Sequence, residues 1–170
     1  MLRLTKKADY GLMAVKHLAE HADSQAHAHL HCAAQCAKDI GEPYHIPVPL
    51  LAKILQQLTK AGILVSHSGI RGGYSLARSA RDITAFEVIR AIEGPLFITS
   101  CVTVHGACDL SDCCTIKEPL QKLNDTIRDL LTGMRISDLC ESAAAKVERS
   151  SKAHGTHVRS GKENLVTLNF

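Results

Sequence analysis

Apolar side chains recur at helical steps through much of the chain, interrupted by one stretch of β-prone residues and turn formers. In residues 5–22, Leu12, Val15, Leu18 and Ala19 fall at helical spacing, with Lys6, Lys7 and Lys16 between them. This predicts a first helix with Thr5 as its N-cap and Asp9 in its first turns. Periodicity stops in DSQAHAHLH, residues 23–31, which is expected to be a loop. CAAQCAKDI, 32–40, predicts a second helix ending at Gly41 and the Pro43 region. The third helix is the clearest, because Leu51, Ile54, Leu55, Leu58 and Ala61 form one continuous stripe. Pro47 and Pro49 fix its start and Gly62 its end, while Lys53, Gln56, Gln57 and Lys60 occupy the opposite face.

Ile63 to Val65 is β-prone, SGIRGG is a turn and YSLA is β-prone again, which predicts a hairpin. Thr84 and Glu87 have capping-box spacing ahead of FEVIRAIEG, a short helix closed by Gly94 and Pro95. From about Glu118 a further helix carries Leu120, Leu123, Ile127 and Leu130 in alternating steps of three and four. So narrow a seam suits another helix, whether of a second subunit or of this chain's own body. RISDLC predicts one more short turn, and the tail from Ser142, rich in Ser, Lys, His and Gly, is expected to be disordered.

Helix, turn, helix and then a basic, glycine-rich hairpin is the order of a winged helix-turn-helix domain. Charge adds to this reading. Residues 1–80 hold nine Lys and Arg against five Asp and Glu, a net +4, and the remainder holds eleven against twelve, leaving +3 for the chain. The basic half is therefore the one to meet a polyanion. A helix with an apolar back fits the major groove and presents polar groups to bases and phosphates, while a hairpin reaches the neighbouring backbone. The plainer reading is a helical subdomain with an ordinary hairpin. Length allows one core, or a small domain with a helical appendage. MLRLTKKADYGLMAV lacks an uninterrupted apolar core and a small-residue cleavage site, and no apolar run is long enough to span a bilayer, so a cytoplasmic location is expected.

Four of the seven cysteines, Cys101, Cys108, Cys113 and Cys114, lie in SCVTVHGACDLSDCC. A reducing cytosol and an odd cysteine count weigh against a disulfide framework, leaving zinc, a cluster or coincidence. Cys32 and Cys36 stand four apart and would share a helical face. No second pair follows at zinc-ribbon spacing, so they read better as small buried core thiols. The histidines of 23–31 read better as a solvated loop than as metal ligands.

LRLTKKADYGLMAV, LLAKILQQLTKAGIL, RGGYSLAR and ITAFEVIRAIEGP, followed by the cysteine segment, resemble the Rrf-two-type winged-helix transcriptional regulators over residues 1–140. That family includes the Isc-cluster regulator, the nitric-oxide-responsive repressor NsrR and the iron regulator RirA, and the branch of SUF-system iron–sulfur assembly regulators is the most similar. The resemblance implies a mostly α fold with a small β-hairpin wing: a winged helix-turn-helix domain over 1–83, a cluster-binding loop and long dimerisation helix over 84–141, and a tail over 142–170. It makes Leu120, Leu123, Ile127 and Leu130 a homodimer interface. The C2 dimer would place two third helices on a pseudo-palindromic operator in double-stranded DNA. Val48, Pro49, Ala52, Lys53 and Gln56 would lie near bases, Lys60 near phosphate, and Arg71, Gly72 and Gly73 in the wing, with Tyr74 packed beneath it. Lys53 and Lys60 as solvated surface charges are the plain alternative.

The resemblance also implies an iron–sulfur cluster, 2Fe-2S or 4Fe-4S, held by soft anionic thiolates. The family spacing places five residues between the second and third cysteines, which selects Cys101, Cys108 and Cys114, with Cys113 as the alternate. Isc-type members carry a histidine ligand three residues beyond the third cysteine; Lys117 stands there instead. Asp9 matches the aspartate that a partner's first helix supplies in the nitric-oxide-sensing branch, and His105 is a third candidate. Asp9 also reads as a helix-start acid favoured by the macrodipole. The expected function is a transcriptional regulator that senses iron–sulfur, redox or nitric-oxide status and controls iron–sulfur assembly genes, with no enzymatic reaction, small-molecule substrate or membrane partner. A zinc-stabilised or thiol-based DNA-binding regulator and a cluster carrier are the rival readings.

Overall fold

The computed structural model describes residues 4–26, 34–69, 72–97 and 114–140. Helix α1, Lys6–Ala26, starts as its sequence directs. The Lys7 amide donates to Thr5 Oγ1 at 3.2 Å, and Thr5 Oγ1 in turn donates to the Glu93 carboxylate, tying this helix start to the end of α4 (Ala85–Glu93). The helix runs through 23–26, where a loop was expected, because no glycine or proline follows Glu20 to stop it. Ala8, Ala14, Val15, Leu18 and Ala19 form its buried stripe. At Gly11 a Cβ would sit 2.1 Å from Ile92 Cδ1, so the missing side chain makes the room that α4 uses to cross.

Helix α2, Ala37–Gly41, is shorter than the predicted 32–40. Cys36 is extended, with φ −74° and ψ 157°, because its neighbour Gln35 is engaged in a sheet-like pair. Of the expected pair Cys32 and Cys36, Cys36 precedes the helix and Cys32 lies outside the described residues. A 3-10 turn, Glu42–Tyr44, and the left-handed His45 at φ 52° then redirect the chain into α3, Val48–Lys60. The amides of Leu50 and Leu51 both donate to Pro47 O at 3.0 Å. Leu51, Ile54, Leu55 and Leu58 are buried, whereas Ala61, placed by periodicity on the same stripe, is exposed beyond the helix end. The stop is a Schellman arrangement: Gly62 takes φ +72°, its amide donates to Thr59 O, and the Ile63 amide donates to Leu58 O.

Strands β1, Leu64–His67, and β2, Gly73–Leu76, form an antiparallel hairpin with Ser66 opposite Tyr74. Helix α4 carries the expected capping box: the Glu87 amide donates to Thr84 Oγ1 at 3.1 Å, and the Thr84 amide donates to Glu87 Oε2 at 2.9 Å. Helix α5, Lys117–Gly133, is followed by a helical turn at 136–140. Its far end is sewn to the body by the Ala85 amide on Met134 O and the Ile136 amide on Ile83 O, with Ile136 fully buried. One apolar cluster joins α1, α3, Ile83, Val88 and Ile136. The architecture is mostly helical with one two-stranded antiparallel hairpin.

Candidate DNA-binding face and cysteine segment

With its apolar stripe buried, α3 turns Pro49, Lys53, Gln56, Gln57 and Lys60 outward. Val48 is 42% exposed at the helix start, and Ala52 is half-buried between the two faces. Steps of four, three and four from Pro49 to Lys60 keep these residues on one side of the helix. Their face spans roughly 18 Å at the usual rise per residue, and contains donors and acceptors suited to base edges together with two cations suited to phosphates. No acidic residue lies in α3 to oppose them.

The wing follows directly from α3. Arg71 lies outside the described residues. Gly72 and Gly73 have an internal reason to be glycine. A Cβ on Gly72 would sit 2.4 Å from His67 O, and one on Gly73 would sit 2.4 Å from Gln35 O. Their close approach is thus to the chain's own backbone. The Gln35 amide donates to Tyr74 O at 3.0 Å and the Tyr74 amide donates to Gln35 O at 2.8 Å, so Gln35 adds a one-residue third strand beside β2. Tyr74 is partly buried against the core, as expected for a residue beneath the wing.

Sequence reasoning missed two histidines here. His67 Nε2 lies 2.8 Å from Ser75 Oγ across the exposed hairpin. His17, on the buried face of α1, is only 7% exposed. Its Nε2 lies 2.8 Å from Gln35 Oε1, and its Nδ1 is 3.4 Å from Tyr44 Oη. A neutral imidazole with its proton on Nε2 satisfies both, donating to Gln35 and accepting from Tyr44. Burial, helped by the His21 ring 4.4 Å away, pushes the His17 pKa below the ordinary value of 6.5. A polar residue amid Ala14, Val15 and Leu18 was the available signal, since a buried ring nitrogen needs a partner.

Of the cysteine segment, Cys114 is described: a half-buried free thiol just before α5. Cys101, Cys108, Cys113 and His105 lie outside the described residues. The first turn of α5 has no side-chain cap from Ile116, and Cys114 stands three residues before the helix. Lys117 is exposed, and Asp9 is exposed on the outer side of α1. Among the described residues no group of three or more His, Cys, Asp or Glu side chains is arranged to hold a metal ion. Along α5, Leu123 is 48% and Leu130 66% exposed, Leu120 and Ile127 are half-buried, and Asn124 is the helix's buried residue. No helix among the described residues is long and apolar enough to cross a membrane.

The family model described as Rrf2, iron-dependent transcriptional regulator, matches residues 4–142. The chain belongs to the Rrf2 family. Among curated Rrf2-like relatives, it is 31% identical to Protein aau3 of Rhizobium meliloti over 83% of this chain and 86% of that protein. It is 30% identical to Protein rrf2 of Nitratidesulfovibrio vulgaris over 92% of this chain and the whole of that one. Among solved structures, CymR, the global cysteine regulator of B. subtilis, superposes with a TM-score of 0.64 at 26% identity, covering 84% of this chain and 98% of CymR. T. potens IscR superposes with a TM-score of 0.61 at 25% identity, covering 92% and 94%. As an Rrf2-family protein with this winged-helix fold, the chain is a transcriptional regulator.

Proposed function

We propose that this Rrf2-family chain is a homodimeric, DNA-binding repressor of the cytoplasm whose cysteine segment holds an iron–sulfur cluster and reports iron–sulfur status. The observation that carries the DNA reading is the outward row Pro49, Lys53, Gln56 and Lys60 on α3, backed by buried leucines and followed at once by the wing. Val48, Pro49, Ala52, Lys53 and Gln56 meet base edges, Lys60 meets phosphate, and the 71–73 end of the wing follows the adjacent backbone. The seam Leu120, Leu123, Ile127 and Leu130, of which Leu123 and Leu130 are exposed, docks against the same helix of a second copy, which spaces two α3 helices for a pseudo-palindromic operator.

Cys101, Cys108 and Cys114 supply three thiolates, Cys113 is the alternate, and the partner subunit's Asp9 supplies the remaining ligand. Cys114 supports this role as a free, half-buried thiol just before the dimer helix. When bound, a cluster supplies a link that is sensitive to redox state and nitric oxide. α5 connects Cys114 at one end to Ile136 in the core at the other, so a change at the thiolates reaches the DNA-binding body through one rigid element.

Similarity to CymR, a cysteine regulator, supports a second reading in which the thiols act without a cluster. Anaerobic purification with iron, sulfide and zinc analysis tests the choice. Brown protein with matched iron and sulfide is expected, and loss of colour in Cys114→Ala with retention in Cys113→Ala assigns the ligand. Colourless, iron-free protein that still binds DNA supports the thiol or zinc alternative. Coloured protein that transfers its cluster to an acceptor and has no salt-sensitive DNA affinity supports a carrier.

A further inference from the structure

The one buried imidazole in the described structure serves neither the DNA face nor the cysteine segment directly. It stands where both DNA-facing elements are anchored. From α1, His17 Nε2 holds the Gln35 side chain, and Gln35 is the residue whose backbone pairs with Tyr74 of β2. From the same ring, Nδ1 faces the hydroxyl of Tyr44, in the 3-10 turn that leads into α3. We propose that His17 is a positioning residue for DNA binding: its ring fixes the wing, through Gln35, at a set angle to the recognition helix.

Several features make the ring more than a filler of space. Gln35 is not inside a helix or a long strand, so its place depends on one reciprocal backbone pair and on its side-chain bond to His17. Gly73 is stripped of a side chain at the point where Gln35 O comes closest, so the pair tolerates little displacement. A hydrogen bond made in a buried setting is directional and costly to leave unmade, so losing it frees Gln35 or forces it to move. Either outcome is felt at Tyr74, the second residue of β2, before it is felt in the core. His17 itself lies on α1, away from the row that faces DNA, and acts through Gln35.

The proposal rests on the DNA-binding reading for its functional half, but its structural half can be measured without DNA. His17→Leu keeps the volume apolar and removes both bonds, His17→Gln offers an amide donor to Gln35, and Gln35→Leu removes the partner from the other side. The first readout is amide hydrogen exchange at Gln35 and Tyr74, with Ile54 and Leu55 of α3 as core references. Exchange at Gln35 and Tyr74 is expected to rise roughly tenfold in His17→Leu and Gln35→Leu while the α3 references stay protected, with recovery in His17→Gln. The double variant should be no worse than either single one, since both remove the same link. The second readout is affinity for a duplex enriched from a random library by the wild-type protein, with a scrambled duplex as control. Specific affinity should fall roughly five- to tenfold with a shallower salt dependence, because wing contacts to phosphate are lost while those of α3 remain. Unchanged exchange at Gln35 and Tyr74 in both leucine variants overturns the proposal, as does an equal rise throughout the core of Gln35→Leu. Wing exchange that rises without any wild-type preference for a duplex would instead overturn the DNA-binding reading and confine His17 to a structural clamp.

Discussion

Helices α3 and α5 are both amphipathic, yet they treat their apolar residues in opposite ways. In α3, Leu51, Ile54, Leu55 and Leu58 are buried within the same chain, and the polar row faces out. In α5, Leu123 and Leu130 are exposed, Leu120 and Ile127 are half-buried, and the helix's one buried residue is Asn124. The sequence pattern distinguishes a broad stripe from a narrow seam but does not say which of them the chain itself covers. Among the described residues the first stripe is covered by the same chain, whereas the second keeps Leu123 and Leu130 exposed. That difference is what the proposed roles rest on: a polar row on α3 offered to DNA, and exposed leucines on α5 offered to a second copy.

Truncation in the two stripes should separate them most strongly. Leu55→Ala should cost about 2–5 kcal/mol of unfolding free energy, read by chemical denaturation, because it opens a cavity in the core. Leu130→Ala should change the stability of the dilute monomer by no more than about 0.5 kcal/mol. Leu123→Asp combined with Leu130→Asp should leave the helical circular dichroism intact while weakening self-association roughly a hundredfold by sedimentation, about 2.7 kcal/mol. If it is the core that fails in this variant, the seam belongs to the chain's own body. On the α3 side, Gln56→Ala should reduce discrimination between duplexes by about 1–3 kcal/mol, and Lys60→Ala should weaken all duplexes alike and lower the salt slope by about one.

A smaller effect concerns what holds these helices in place. Thr84→Ala should cost about 1 kcal/mol by thermal or chemical denaturation, since it removes the N-cap of α4 and one half of the box with Glu87. The smallest expected effect is one of pH. Burial holds the His17 pKa below 6.5, with Lys16, Glu20 and His21 on its own helix and Tyr44 opposite. The unfolded chain therefore takes up the proton first. The stabilising contribution of neutral His17 is complete above pH 6.5 and is lost as pH falls through the lower folded value. Burial alone would raise the Glu87 pKa, but the Arg78 guanidinium and the Thr84 hydrogen bonds outweigh it and hold the carboxyl below its ordinary 4.5. Its contribution is complete above 4.5 and fades at more acid pH, in the same direction. Denaturation of His17→Leu should show a flatter dependence than wild type through the first of these two ranges.

The parts of the fold that follow from local chemistry were legible from residues alone. The α3 stripe, its Pro47–Pro49 start and Gly62 stop, the hairpin and the Thr84–Glu87 box all depend on neighbours within a few positions. The start of α2 was not legible, because Gln35 spends its backbone on Tyr74, far along the chain, and a periodicity window cannot see such a pair. For the same reason the sequence could not show that the missing side chains of Gly72 and Gly73 make room for His67 O and Gln35 O. His17 escaped notice because a buried histidine matters only through partners that the fold brings to it. The α5 seam was visible, but which surface it meets depends on exposure, which the pattern does not carry.

The most direct test of the account is a fluorescence-anisotropy titration of the library-enriched duplex with wild-type protein and with the Leu123→Asp, Leu130→Asp variant, at matched salt. A folded variant that binds roughly a hundredfold more weakly is predicted, since it can place only one α3 on the operator. A folded variant that binds as tightly as wild type would contradict the assignment of α5 as the element that pairs two recognition helices.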